Sequence, residues 1–397
     1  MGRVLVVVPP LAGHVNPTIA LAARLQERGH VVSWVGCGEV TRRLLPEGAT
    51  VTGGVAGISE TTVASIRQRS SGLRGAAALK FLWEDFLFPL ASAMLPAVDA
   101  AVEDFAPDLV VVDQQALAGA VVARRREVPW ATSATTSAEL VDPFAPLPKV
   151  GEWVRRGMAR LAADGGLDAG DTRDLRFSEH LVLAFTTEAL TGPLTLPPGS
   201  GPVAMVGPSL EAPGGDDPRH GDPELPAGWM AREEPRVLVS LGTVNAEVGA
   251  TFMRTCIQAV ADEAVSLIMV APPELLGPVP GHVVVRRFVP QLSVLAEVDA
   301  VVSHAGHNTV CEALAYGRPL VVAPIRDDQP IVAEQVVRAG AGRRVRFGRV
   351  RAPELREVLD SVLFDDRFRS AAAAVQRSFS AAGGAEVAAD RLLELLA

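Results

Sequence analysis

The chain has 397 residues, a length that suits two domains better than one large core. Hydrophobic residues make up 48% and charged residues 21%, which excludes a mainly disordered protein. A formal net charge of -9 supplies no broad cationic face, so no nucleic-acid partner is expected.

The opening Met1-Gly-Arg-Val-Leu-Val-Val-Val-Pro-Pro10 holds an apolar run too short for a signal-peptide core and stopped by two prolines. It reads as a buried first strand, Val4 to Val8. A loop follows, then a helix with Asn16 as N-cap, Pro17 at its first position, Leu21 and Leu25 one turn apart, and Gly29 as its stop. Strand Val31 to Val35 comes next. The segment Ser65 to Leu95 is rich in large apolar side chains, among them Phe81, Trp83 and Phe86; these either line an apolar pocket or pack two helices together. Leu79 to Val98 is broken by Lys80, Glu84, Asp85 and two prolines, so no integral membrane insertion is expected. Further strands are predicted at Leu109 to Val112, Leu181 to Ala184 and Val203 to Val206.

From Pro208 to Pro235 the chain turns to prolines, glycines and charges without apolar periodicity, and reads as a linker. A second series of strands then begins: Val237 to Leu241, Leu267 to Ala271, Val283 to Val285, Ala300 to Ser303 and Leu320 to Ala323. The Ala-rich stretch from Ser370 to Ala397 reads as helical. Alternating buried strands and helix-length segments predict the α/β class, with two doubly wound, Rossmann-like domains facing each other across a cleft. The boundaries are 1–207 for the first domain, 208–235 for the linker, 236–375 for the second domain and 376–397 for a helical tail that could pack back on the first. The three cysteines, Cys37, Cys256 and Cys311, are far apart and lack metal-ligand spacing; no disulfide framework or zinc site is expected, and a reducing cytoplasm suits them.

Open parallel sheets bind ligands at the carboxyl ends of their strands, so polar residues just after strands are the first candidates for chemistry. His14 lies in the loop after the first strand and Asp113 directly follows Leu109 to Val112. An imidazole held by a carboxylate is a competent general base, because the carboxylate fixes its tautomer and stabilises the imidazolium. The plainer alternative is a loop-pinning histidine and a helix-capping aspartate. In the second half, Ser240-Leu-Gly242-Thr243 and His304-Ala-Gly306-His-Asn308-Thr309-Val-Cys-Glu312 are both strand-to-helix junctions. A helix starting near Asn308 or Thr309 aims N–H groups and the positive end of its dipole at the loop, which suits an anionic phosphate. Gly306 would let a ligand approach closely, or would be a simple turn. Asp328 and Gln329 offer a carboxylate and an amide for sugar hydroxyls, and Phe288 with Gln291 offers a ring and an amide for a flat base; both pairs are also ordinary loop or core residues.

Taken together, Gly13-His14-Val-Asn-Pro17, Phe288-Val289-Pro-Gln291, the motif from His304 to Glu312, and Asp328-Gln329 resemble the inverting glycosyltransferases of GT-B type, with two Rossmann-like domains, that act on macrolides, antibiotics and other natural products. Order and spacing match over nearly the whole chain, and the motif from His304 is the most diagnostic. The resemblance implies His14 as base on an acceptor hydroxyl, with Asp113 orienting and charge-balancing it. Ser240, Gly242, Thr243, His304, Gly306, Asn308 and Thr309 would hold the diphosphate of a TDP- or UDP-sugar. Phe288, Val289, Gln291 and Glu312 would bind base and ribose, and Asp328 with Gln329 the donor hexose or deoxyhexose. Plant relatives commonly carry tryptophan where this chain has Phe288. The co-substrates implied are a nucleotide sugar and a hydrophobic small-molecule acceptor, with no tightly bound cofactor, no metal and room for a homodimer.

Three rivals remain. An NAD-dependent oxidoreductase is disfavoured because the first loop lacks Gly-x-Gly-x-x-Gly. A nucleotide-sugar epimerase and a non-catalytic binding relative stay as alternatives to group transfer, and the pairing of His14 with Asp113 argues against both.

Overall fold

The computed structural model describes residues 1–55, 58–70, 72, 73, 75–168, 170–210, 229, 233–242 and 246–396. Most of the expected linker, 211–228 and 230–232, and the phosphate-site candidate Thr243 lie outside the described residues. The chain forms two compact units: Met1–Thr187 with Pro193–Leu210 and Ala382–Ala397, and Glu188–Gly192 with Glu211–Ala381.

The first unit is built on six parallel strands: β1 (Arg3–Val7), β2 (Val31–Val35), β3 (Leu109–Asp113), β4 (Trp130–Ala134), β5 (Leu181–Ala184) and β6 (Val203–Met205), in the order β2-β1-β3-β4-β5-β6. Alternate residues of a strand feed opposite layers. Val4 and Val6 pack with Ile19, Leu21 and Leu25 of the helix Ala12–Glu27 and with Leu392 near the far end of the chain. Leu5 and Val7 pack with Leu90, Met94 and Val98 of the helix Phe88–Phe105. Both faces of the sheet are therefore covered, which is why β1, β3 and β5 read as apolar runs rather than alternating ones.

The second unit repeats the design with β7 (Arg236–Ser240), β8 (Ser266–Val270), β9 (Val283–Arg286), β10 (Ala300–Ser303), β11 (Leu320–Val322) and β12 (Gly342–Arg344), all parallel, in the order β12-β11-β10-β7-β8-β9. Counted from its own first strand this is the 3-2-1-4-5-6 arrangement of a dinucleotide-binding sheet. Val237 and Val239 face one layer with Phe252 and Leu355. Leu238 faces the other with Val294, Val310 and Val336.

Four local expectations need correction. The first helix begins at Ala12, with Leu11 in the N-cap position, so Pro17 lies inside it and Asn16 is not its cap. A proline that early removes only one N–H, which would have reached back to Gly13. Asp113 is the last residue of β3 rather than the residue after it. Strand β4 was missed because Trp-Ala-Thr-Ser-Ala is not an apolar run; Thr132 is nonetheless fully buried, donating to the Arg176 carbonyl (3.2 Å) and accepting from the Ser178 N–H (2.7 Å). The Ala-rich segment is two helices, Asp366–Ala382 and Gly384–Glu394, broken where Gly383 and Gly384 take φ values of 87° and 58°, which residues with a Cβ rarely adopt. The second of these helices buries Ala388, Ala389 and Leu392 in the first unit, and Arg28 pairs with Glu386 and Asp390 on its surface.

A buried charge network locks the segment before β5. Arg176 is 6% exposed and donates two parallel bonds to Asp174 (2.9 and 2.8 Å) and another to Glu139. Its guanidinium lies 5.4 to 5.9 Å from the ring centres of Phe177, Phe144 and Trp83. Burial opposes the charge, but Glu139 and Asp174 outweigh it and hold the group protonated above its ordinary range. Arg176→Ala would strand two carboxylates in a dry setting, so it should cost about 3 to 5 kcal/mol of stability. Urea denaturation checks this; a loss below about 1 kcal/mol, the worth of an exposed pair, would show that the network is not desolvated.

Candidate functional site

In the first unit the chain leaves β1 toward β2 on one side and leaves β3 toward β4 on the other, so the winding reverses between β1 and β3. Doubly wound sheets bind their ligands at the carboxyl ends of the strands flanking such a reversal. His14 and Asp113 sit there. His14 is in the first turn of the helix that follows β1, not in a loop, and its Nδ1 lies 2.9 and 3.0 Å from the two oxygens of Asp113. Asp113 is fully buried, and the His14 side chain is 15% exposed. A carboxylate only accepts, so Nδ1 must carry the proton, and Nε2 holds the basic lone pair. The Gln115 N–H donates to Oδ1 of Asp113 (2.8 Å). The Thr135 hydroxyl, just past β4, lies 2.7 Å from Oδ2 and 2.8 Å from Nδ1 of His14. Sequence reasoning missed Thr135; the signal was present in the run Thr132-Ser-Ala-Thr-Thr-Ser137, which places five hydroxyls at a strand end.

The second unit reverses between β7 and β10, whose last residues Ser240 and Ser303 are register partners. Beyond them, the His304 imidazole is packed against two glycines. A Cβ on Gly306 would sit 2.5 Å from Nε2, and one on Gly242 would sit 2.9 Å from Cε1. This revises the expectation for Gly306: its missing side chain makes room for His304 rather than for a ligand. His304 is 9% exposed and its Nδ1 has no hydrogen-bond partner among the described residues. Burial pushes its pKa down to about 4, the Ser240 backbone working against that shift and Arg326 with it, so the ring is neutral at pH 7. Between His304 and Gly306, Ala305 holds a φ of 66°, a left-handed conformation uncommon for a residue with a side chain. The helix His307–Ala315 starts immediately, with Gly306 as its N-cap. Its first intrahelical bond is Val310 N–H to Gly306 O (3.0 Å), and Asn308 and Thr309 occupy its first turn, which contains no acidic residue. That end of the helix carries the positive pole of its dipole.

Three more candidates are joined in one chain of contacts: the Ser240 hydroxyl donates weakly to Gln291 Oε1 (3.5 Å), and Gln291 Nε2 donates to Glu312. Phe288 is 56% exposed, whereas the neighbouring Val289 is a core residue with 4% exposure. Gln329 is buried, and its Oε1 already accepts from the Ile325 and Arg326 N–H groups (2.9 and 3.1 Å), so only its NH₂ could serve a sugar. Asp328 precedes the helix Gln329–Arg338. Trp83 and Phe86 lie in the core of the first unit, Trp83 against Phe88 and Phe144, on a π-helical turn, Leu82–Leu87, inside the long helical segment Ala76–Phe105; Phe81 stays partly exposed. By length and composition alone that segment would suffice for a membrane span. Among the described residues no group of three or more His, Cys, Asp or Glu is placed to hold a metal ion.

The state of His304 has a consequence for stability. Its pKa of about 4 in the folded chain lies below the ordinary value of 6.5, so between these pH values the unfolded chain takes up a proton that the fold refuses. Stability should therefore fall as pH drops from 6.5 toward 4 and level off below, by up to about 3 kcal/mol from this group. His304→Asn should flatten that part of the curve. Urea midpoints measured across the range for both proteins give the answer, and parallel curves would show that His304 is not desolvated.

Residues 239–395 match the family described as Erythromycin biosynthesis protein CIII-like, C-terminal domain. The 4'-demethylrebeccamycin synthase of Lentzea aerocolonigenes is 30% identical over 415 residues, covering 96% of each chain. The demethyllactenocin mycarosyltransferase of Streptomyces fradiae is 29% identical, covering all of this chain and 87% of its own. Among solved structures, the glycotransferase of kitacinnamycin superposes with a TM-score of 0.77 at 25% identity, covering 100% of this chain and 99% of the other. With two parallel-sheet units and full-length similarity of this kind, the chain belongs to the macrolide and natural-product glycosyltransferase family and is a glycosyltransferase of GT-B fold.

Proposed function

We propose that the enzyme moves a hexose or deoxyhexose from a TDP- or UDP-sugar to a hydroxyl of a hydrophobic secondary metabolite, with inversion at the anomeric carbon. The observation that carries this reading is the contact between His14 Nδ1 and the fully buried carboxylate of Asp113, which leaves Nε2 as the base. In the reaction the acceptor O–H gives its proton to Nε2 while its oxygen bonds to the anomeric carbon from the face opposite the leaving group. The bond from that carbon to the diphosphate oxygen breaks, and its electron pair leaves with the nucleoside diphosphate. Asp113 stabilises the imidazolium that forms. Names such as demethyllactenocin mycarosyltransferase among the relatives support a natural-product acceptor, and favour transfer over epimerisation or silent binding.

In this reading residues 1–207 serve the acceptor and residues 236–375 the nucleotide sugar. The diphosphate lies at the start of the helix His307–Ala315, where N–H groups of the first turn and the N–H of neutral His304 meet the charge that builds on the leaving group. Phe288 offers an exposed ring to the base, Glu312 the ribose contact, and Asp328 the principal contact to the sugar.

The two halves of this assignment separate cleanly in two variants. His14→Ala should lower turnover by roughly 10² to 10⁴, yet leave nucleoside diphosphate affinity unchanged by calorimetry. His304→Ala should weaken nucleoside diphosphate binding by about tenfold or more, the worth of a hydrogen bond to a charged group. Wild-type turnover in His14→Ala would refute the base, and an unaltered nucleotide affinity in His304→Ala would refute the phosphate site. Because helix dipole and imidazole already serve the leaving group, turnover should persist in excess EDTA without added divalent cation; abolition by EDTA and rescue by Mg²⁺ would overturn that part.

A further inference from the structure

Thr135 satisfies two groups at once. Its hydroxyl has a single proton and lies within hydrogen-bond distance of Asp113 Oδ2 (2.7 Å) and of His14 Nδ1 (2.8 Å). Nδ1 is itself a donor, committed to the carboxylate, so it cannot receive that proton. The hydroxyl must donate to Oδ2 and offer a lone pair to Nδ1–H. Oδ1 is held from the other side by the Gln115 N–H (2.8 Å). With Thr135 in place the hydroxyl proton lies on the Asp113 side and a ring proton lies on Nδ1, so in the neutral imidazole the lone pair is on Nε2. Asp113 is fully buried and Thr135 is 3% exposed, so bulk water does not replace the hydroxyl if it is lost.

The sheet explains how a residue so far along the chain arrives here. Strands β3 and β4 are parallel neighbours, with Asp113 opposite Ser133. Thr135 is two residues beyond Ser133 and so returns to the same face of the sheet.

We infer that Thr135 is a positioning residue for the transfer: it fixes the rotamer of the Asp113 carboxylate and, through it, the tautomer and direction of the His14 ring. This rests on the proposal that His14 is the base. Thr135 acts on the base and not on binding, so its signature is confined to kcat.

The test compares Thr135→Val, which keeps the shape and removes the hydroxyl, with Thr135→Ser, which keeps the hydroxyl and removes the methyl group. Thr135→Ala is added so that a folding defect in the valine variant does not decide the result. The hydroxyl-free variants should lose about 10- to 100-fold in kcat, the usual effect of a misdirected catalytic group. KM for both substrates and nucleoside diphosphate affinity should stay near wild type, the unfolding midpoint of the hydroxyl-free variants should fall because Asp113 loses a donor in a dry site, and Thr135→Ser should recover most of the rate. Wild-type kcat in Thr135→Val or Thr135→Ala beside an inactive His14→Ala overturns the positioning role and leaves the base standing. Wild-type rates in His14→Ala as well would overturn the base itself. A Thr135→Ser variant as slow as Thr135→Val assigns the residue to packing through its methyl group, which also overturns the inference.

Discussion

A parallel strand covered on both faces has few places to show a polar side chain, and the main one is the end where it emerges from the sheet. That constraint arranges everything else in this chain. Leu5, Val7, Val110 and Val112 fill one apolar layer of the first unit, and Val4, Val6, Leu109 and Val111 fill the other. Packing on both sides pins the register of β1 against β3, Val7 beside Val112, and so delivers Asp113 one step later to the mouth of the sheet. A slip of one residue would send the carboxylate to the opposite face. In the second unit the same logic sets Ser240 beside Ser303 and places His304 immediately after.

The two strand-end clusters solve opposite electrostatic problems. Around Asp113 a formal negative charge is taken out of water, and three donors compensate it: an imidazole, a backbone N–H and a hydroxyl. Around His304 the ring itself carries no formal charge, although the nearly buried Arg326 guanidinium acts on it. The ring is neutral, wedged between the backbones of Gly242 and Gly306, and positive potential comes both from Arg326 and from the oriented N–H groups at the start of a helix. Fixed dipoles of this kind do not carry the desolvation cost of a buried cation. The proposed roles follow this contrast: the first cluster to accept a proton, the second to meet an anion.

Much of this was legible in the sequence because the strands are apolar and short. The runs at Val31–Val35, Leu181–Ala184 and Ala300–Ser303 coincide with strands, and the polar residues at or just past strand ends include His14, Asp113, Ser240 and His304. What escaped notice was held by contacts distant in sequence. Strand β4 satisfies the Thr132 hydroxyl through Arg176 and Ser178, more than forty residues away, so its composition alone resembles a loop. Thr135 escaped with it. Gly306 looked like an opening for a ligand because the ring that fills its space folds back from two residues earlier. Gln329 looked available to a sugar because nothing in the sequence says that its oxygen caps the preceding turn.

The helix Gly384–Glu394 gives the first unit an unusual order of assembly. Its Ala388, Ala389 and Leu392 belong to the same apolar layer as Ile19, Leu21 and Leu25, on the helix that carries His14. The paired Arg28 and Asp390 are separated by 362 positions along the chain. Synthesis runs from the N-terminus, so the helix bearing His14 emerges early and waits for its cover until residues 384–394 have been made. The second unit needs no residue beyond Ala381. Until that cover arrives, the apolar face formed by Ile19, Leu21 and Leu25 lacks the packing of Ala388, Ala389 and Leu392.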